Sequence, residues 1–132
     1  MTTPDVITAE EIRSRLHTNW MAENCIYLES VDSTNNYAKR IAEDGTSSGT
    51  LVVADEQTGG KGRRGRSWST PKGSNIAMTL LLRPRFRPEH ASRMTLLAAM
   101  AVTCGIRRVT GLDAGIKWPN DVVVNGQLRK PE

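Results

Sequence analysis

Aromatic side chains are scarce: one phenylalanine, two tyrosines and three tryptophans occur in 132 residues, so a core must be assembled largely from aliphatic groups. Long apolar runs are missing too. The longest, Leu96 to Val102, falls far short of the roughly 20 residues a membrane span needs, and residues 1–5 hold an acid where a secretory signal would be apolar. A cytoplasmic protein with no membrane partner is therefore expected. Cys25 and Cys104 lie far apart, with no CxxC and no histidine at ligand spacing, which excludes a disulfide framework and gives no protein motif for a metal. Both are expected as buried, reduced thiols. Acid is absent from one stretch in particular: between Gln57 and Arg66 stand Lys61, Arg63, Arg64 and Arg66 and no carboxylate. The remaining 14 basic residues are matched by 14 acidic ones, so the net charge of +4 sits in this segment. Such a cluster calls for an anionic ligand, whether phosphate, carboxylate or nucleic acid.

What is present suffices for one domain with a real core. A first helix is expected from Thr8, where Thr8 and Glu11 form a capping box ahead of Ile12 and Leu16. Ile26 to Val31 alternates as a strand and delivers the chain to Asp32-Ser33-Thr34-Asn35, whose small oxygen-bearing side chains cap a second helix ending near Asp44-Gly45. Thr50 to Glu56 reads as a buried strand. Residues 58–75, with five glycines, one proline and no hydrophobic periodicity, read as a long loop, a length uncommon in compact domains unless the loop is functional. Ile76 to Leu82 is a further strand. A helix over Glu89 to Val109 is expected to bury the stripe Met94, Leu97, Ala98, Ala101 and Val102. Ala114 to Trp118 and Val122 to Asn125 read as strands, the second followed by the hairpin signal Asn125-Gly126. A returning strand is expected there, and Pro131 limits what can follow.

Two constellations carry chemistry. In Gly59-Gly60-Lys61-Gly62-Arg63-Arg64-Gly65-Arg66-Ser67-Trp68, glycines let backbone N–H groups approach an anion, and guanidinium groups grip oxygens two at a time. It is neither a Walker A loop nor a GxGxxG turn. Trp68 offers a flat face for a purine, or else is a core or rim tryptophan. In Lys117-Trp118-Pro119-Asn120-Asp121 a lysine ends an apolar strand. Facing the basic segment it would neutralise charge on a phosphate; the alternative is a strand-end lysine in solvent.

The run GGKGRRGRSW is similar to the GRGRxGRxW biotin-binding motif of biotin protein ligases. KWPND matches that family's second signature, and DSTN before a helix its third, in the family's order and spacing from about residue 26 to 128. The resemblance implies an α/β (α+β) fold, a mixed β-sheet flanked by helices similar to class II synthetase cores. It implies that residues 1–132 form part of one catalytic domain, ending before the family's remaining strands and C-terminal barrel. Ser33, Thr34, Asn35 and Gln57 would then line the biotin pocket and hydrogen-bond its ureido ring. Lys61, Gly62 and Arg63 would close over the biotin carboxylate and the α-phosphate, Arg64 and Arg66 would hold the other phosphates, and Trp68 would cover the adenine. Lys117 would touch both carboxylate and α-phosphate, making Lys117 and Arg63 the catalytic pair. Lys61 stands where the family usually has arginine, keeping the charge without the planar fork.

The implied reaction joins biotin and ATP, with Mg²⁺, into biotinyl-5′-AMP and passes biotin to a lysine of the biotin carboxyl carrier domain of acetyl-CoA carboxylase. An inactive remnant that only binds biotin or its adenylate is the first rival. A lipoate ligase shares the fold class, but the basic segment with KWPND points to biotin. A nucleic-acid module is disfavoured because Trp68 is the lone aromatic beside the cations. The 31 residues before Asp32 hold one expected helix, too few for the winged helix-turn-helix of some members, so no DNA binding is expected. Homodimerisation through an exposed strand edge is left open.

Overall fold

The computed structural model describes residues 7–125, and the chain divides between Arg83 and Pro84 into two compact units. The first is built on a mixed sheet. Thr8 caps helix α1 (Ala9–Arg15) by accepting the Glu11 N–H at 3.1 Å, as the capping-box pattern requires. Strand β1 (Cys25–Val31) leads to helix α2 (Thr34–Glu43), capped by Ser33, and then to strand β2 (Leu51–Lys61). β1 and β2 run parallel, Cys25 opposite Leu51 through Val31 opposite Gln57. The other edge of β2 is shared end to end by two antiparallel partners. Strand β4 (Ala77–Leu80) pairs with residues 51–54, and strand β3 (Ser67–Thr70) with residues 57–61.

Successive side chains of a strand face opposite sides of a sheet. Leu51 and Val53 join Ala22 and Cys25 in a cluster covered by Ala9, Ile12 and Leu16 of the α1 region. Val52 and Ala54, fully or almost fully buried, face the other way, where α2 packs on β2 and β4. The unit is thus a sheet between helices, and the mixed α/β architecture expected from the sequence is the one observed.

In the second unit Pro88–His90 form a single 3-10 turn ahead of helix α3 (Ala91–Thr110), which Gly111 ends in the left-handed conformation at φ 72°. Strands β5 (Ala114–Lys117) and β6 (Asp121–Val124) pair antiparallel beside it. The Arg107 Nε–H donates to the Ala114 carbonyl at 2.6 Å. The strand expected after Gly126 lies outside the described residues.

Three expectations need correction. Residues 58–75 are not one loop: β2 continues through Thr58-Gly59-Gly60-Lys61 and β3 pairs back onto it. Hydrophobic periodicity misses these residues because glycines carry no side chain to alternate, while their backbone groups form the ladder all the same. Cys104 is exposed, whereas Cys25 is buried and burial pushes its thiol pKa up, against the nearby Arg13 charge. On α3 the buried residues are Ala99 and Thr103, while Leu97, Ala98, Ala101 and Val102 are exposed and Met94 is half-buried. The reason is length. A 20-residue helix runs about 30 Å, but four-residue strands span only about 13 Å, so the hairpin covers a short piece of one face.

Val52 is completely buried at the centre of the first unit. Val52→Ala is expected to lower stability by about 2 kcal/mol through lost methyl burial and the space left behind, read as a shifted urea midpoint with an unchanged slope.

Candidate functional site

The DSTN segment turns the end of β1 into the start of α2. A helix N-terminus exposes amides that need acceptors, and here two side chains supply them. Ser33 Oγ accepts the Asn36 N–H at 3.3 Å, and Gln57 Oε1, arriving from β2, accepts the Thr34 N–H at 2.8 Å. Gln57 Oε1 also lies 3.0 Å from Thr34 Oγ1, and its Nε2 stands 3.5 Å from Thr70 Oγ1. Ser33 and Thr34 are buried, Gln57 half-buried and Asn35 exposed. The Asp32 carboxyl is held below the usual carboxylate range, first by the Ser33 N–H and then by Asn36 and Arg40. Ser33, Thr34, Asn35 and Gln57 are therefore brought together at the α2 N-terminus. Thr79 on β4 joins them, its hydroxyl 2.9 Å from Thr34 Oγ1 and 2.5 Å from Asn35 Oδ1.

Beyond Gln57, β2 leaves β1 and continues as one arm of a hairpin with β3. The register shifts between Gln57 and Gly60, a bulge, before Gly60 pairs with Trp68 and Lys61 with Ser67. At the tip the Gly62 N–H donates to the Arg66 carbonyl at 2.6 Å, closing a 3-10 turn over Arg63–Gly65. Arg64 adopts φ 61° there, a left-handed conformation uncommon outside glycine. Among the described residues no acidic side chain pairs with Lys61, Arg64 or Arg66, and all three are exposed. Trp68 is 52% exposed. Exposed cations without carboxylate partners, carried on glycine-rich backbone, form a surface ready for an anion.

Lys117, the last residue of β5, lies in the second unit. It is exposed, and its Cα partner across the hairpin is Asp121. Trp118, joined to Pro119 by a cis peptide bond, is 73% exposed in the intervening turn. Among the described residues no group of three or more His, Cys, Asp or Glu side chains is placed to hold a metal, and no helix is long and apolar enough to cross a membrane. A cavity of about 430 Å³ lies against the α1 side of the sheet, lined by Tyr27, Val53, Asp55 and residues 73–76 among others. None of the motif residues lines it.

The first unit thus has the form of an α/β domain in which a capped helix adjoins a cationic arm. The chain belongs to the biotin/lipoate A/B protein ligase family, whose model matches residues 27–130. It is 42% identical over 124 residues to the bifunctional ligase/repressor BirA of Bacillus spizizenii, covering 94% of this chain and 38% of that protein. It is 44% identical over 101 residues to the biotin--[acetyl-CoA-carboxylase] ligase of Paracoccus denitrificans, covering 75% and 41%. The biotin protein ligase of Aquifex aeolicus, solved in complex with biotin and ATP, superposes with a TM-score of 0.65 at 37% identity, covering 76% of this chain and 41% of that one. The Leishmania major biotin protein ligase with biotinyl-5-AMP gives 0.68 at 30% identity, covering 78% and 48%. The chain spans about two-fifths of the length of each of the two curated relatives, from Bacillus spizizenii and Paracoccus denitrificans.

Thr70 and Thr79 escape a motif search because each sits in an unremarkable strand. The signal that finds Thr79 is pairing: it lies opposite Val52, hence on the α2 side of the sheet. Gly60 is fixed by space, since a Cβ there would stand 2.6 Å from the Trp68 carbonyl oxygen and 3.1 Å from Gln57 Nε2. Gly60→Ala is expected to cost about 1–3 kcal/mol, as overpacking does, and to deprotect the Lys61 amide in hydrogen exchange.

Proposed function

We propose that this chain supplies the biotin- and ATP-binding part of a biotin protein ligase catalytic domain, to which both compact units belong, acting in the cytoplasm. The observation that carries the reading is the continuity of β2. One strand places Gln57 against the α2 N-terminus and, on the order of 13 Å further on, becomes the arm bearing Lys61, Arg64 and Arg66. That is the layout wanted for a ligand with a polar ring at one end and a carboxylate at the other. Ser33, Thr34, Asn35 and Gln57 meet the ureido ring; Lys61, Gly62 and Arg63 meet the carboxylate. Arg64 and Arg66 take the nucleotide phosphates, Trp68 the adenine face, and Lys117 the α-phosphate beside the carboxylate.

The chemistry needs no enzyme nucleophile. A carboxylate oxygen attacks the α-phosphorus, the bond to the β-phosphate oxygen breaks, and pyrophosphate leaves. Its difficulty is one anion approaching another, a repulsion of roughly 4 kcal/mol per charge pair at about 4 Å in a medium of effective dielectric near 20. Fixed cations aimed at the developing charge offset it, and Mg²⁺ arrives with the nucleotide. The biotinyl group then passes to a lysine of a carboxyl carrier domain, with AMP as leaving group. Support comes from the family membership, from the names of the relatives, and from solved neighbours holding biotin, ATP or the adenylate.

Calorimetry on the full chain, with biotin first and ATP with Mg²⁺ second, tests the assignment. Biotin heat is expected from the parent and weaker binding from Arg63→Gly and Lys117→Ala. Equal heats from all three proteins would remove these residues from the site. Biotin uptake without pyrophosphate release on adding ATP would identify a binding remnant instead.

A further inference from the structure

We propose that Thr79 is a positioning residue for ureido recognition: its hydroxyl fixes which end of the Asn35 amide faces the ligand. The inference rests on the biotin reading above. An amide carbonyl oxygen can only accept a hydrogen bond and an amide nitrogen can only donate, so the 2.5 Å contact between Thr79 Oγ1 and Asn35 Oδ1 requires Thr79 to donate. Asn35 Oδ1 is thereby turned toward β4, and the two Nδ2 hydrogens are turned away from it. Asn35 is exposed, and no other hydrogen bond to its side chain occurs among the described residues. Without Thr79 the amide is free to rotate by half a turn and present an oxygen where a urea carbonyl needs a donor.

Two observations separate this role from that of a staple between α2 and β4. The helix is already secured at both ends. Gln57 Oε1 holds its first amide, and at the far end Arg83 donates from Nη2 to the Ala42 carbonyl at 2.7 Å and from Nε and Nη2 to the Thr46 carbonyl at 3.0 and 2.8 Å. Thr79 also lies opposite the fully buried Val52, where valine would fill the same volume with the same branching. The hydroxyl is what threonine adds; its single proton goes to Asn35 Oδ1, and Thr34 Oγ1 of the same DSTN segment lies 2.9 Å away.

The test is calorimetric titration of the full chain with biotin, on the parent, Thr79→Val, Thr79→Ala and Thr79→Ser, with melting temperatures alongside. Thr79→Val and Thr79→Ala are expected to raise the biotin dissociation constant about tenfold, as loss of one ordered hydrogen bond does, and Thr79→Ser to restore it to within about twofold. In an Asn35→Ala background, Thr79→Val is expected to change affinity less than about twofold, because the group it orients is gone. Parent-like affinity in a folded Thr79→Val or Thr79→Ala protein overturns the proposal. So does an undiminished tenfold loss in the Asn35→Ala background, which would mark a purely structural threonine. A parent that takes up no biotin overturns the ligase reading itself.

Discussion

The contact between the Thr34 amide and Gln57 Oε1 joins two segments 23 residues apart, and much of the first unit follows from it. Helix α2 needs acceptors for its leading amides. Taking one from the side chain of β2 fixes where that strand stops being the parallel neighbour of β1 and starts being a hairpin arm. Upstream of Gln57, β2 is a core strand with buried aliphatic residues facing both ways. Downstream it is threonine, glycine and lysine, paired with β3 through Gly60 and Lys61 and tied back to Asp32 by the Gly59 N–H. The amide sits at the boundary between a buried core segment and an exposed arm rich in glycine and cations.

The hairpin carries a cost that the core does not share. Three exposed cations that have no carboxylate partner among the described residues repel one another, and Arg64 accepts a left-handed backbone. Neither feature helps the free chain fold. Both become useful once an anion is present, because desolvated guanidinium groups interact more strongly with phosphate than solvated ones do. Such departures from local optimality are characteristic of binding surfaces.

Helix starts were legible from the sequence because caps are local: Thr8 and Ser33 each make the bond their motif announces. The aliphatic centre of β2 was legible for the same reason, as a short apolar run between glycines. The hairpin was not, since Gly60 pairs with Trp68 through backbone alone and Gly59 falls in the bulge, so neither leaves a periodic trace. The buried face of α3 was also misread, because which stripe is covered depends on the extent of its neighbours rather than on its own pattern. Around the α2 N-terminus the motif residues Ser33, Thr34, Asn35 and Gln57 lie together, while Thr79 enters only through strand pairing.

Because β3 and β4 meet the same edge of β2 at separate stretches, Asp55 and Glu56 lie at a seam between the two ladders. There the Asp55 carboxylate accepts the Gly73 N–H at 3.0 Å, and the crossing segment runs over the surface from Pro71 to Ile76. Each ladder keeps its own alignment, so residues can be inserted in that crossing without displacing either one, at the small entropic cost of a longer surface connection. The seam is accordingly the place to graft a fluorophore or an affinity tag while leaving the cation-bearing arm and the helix caps undisturbed.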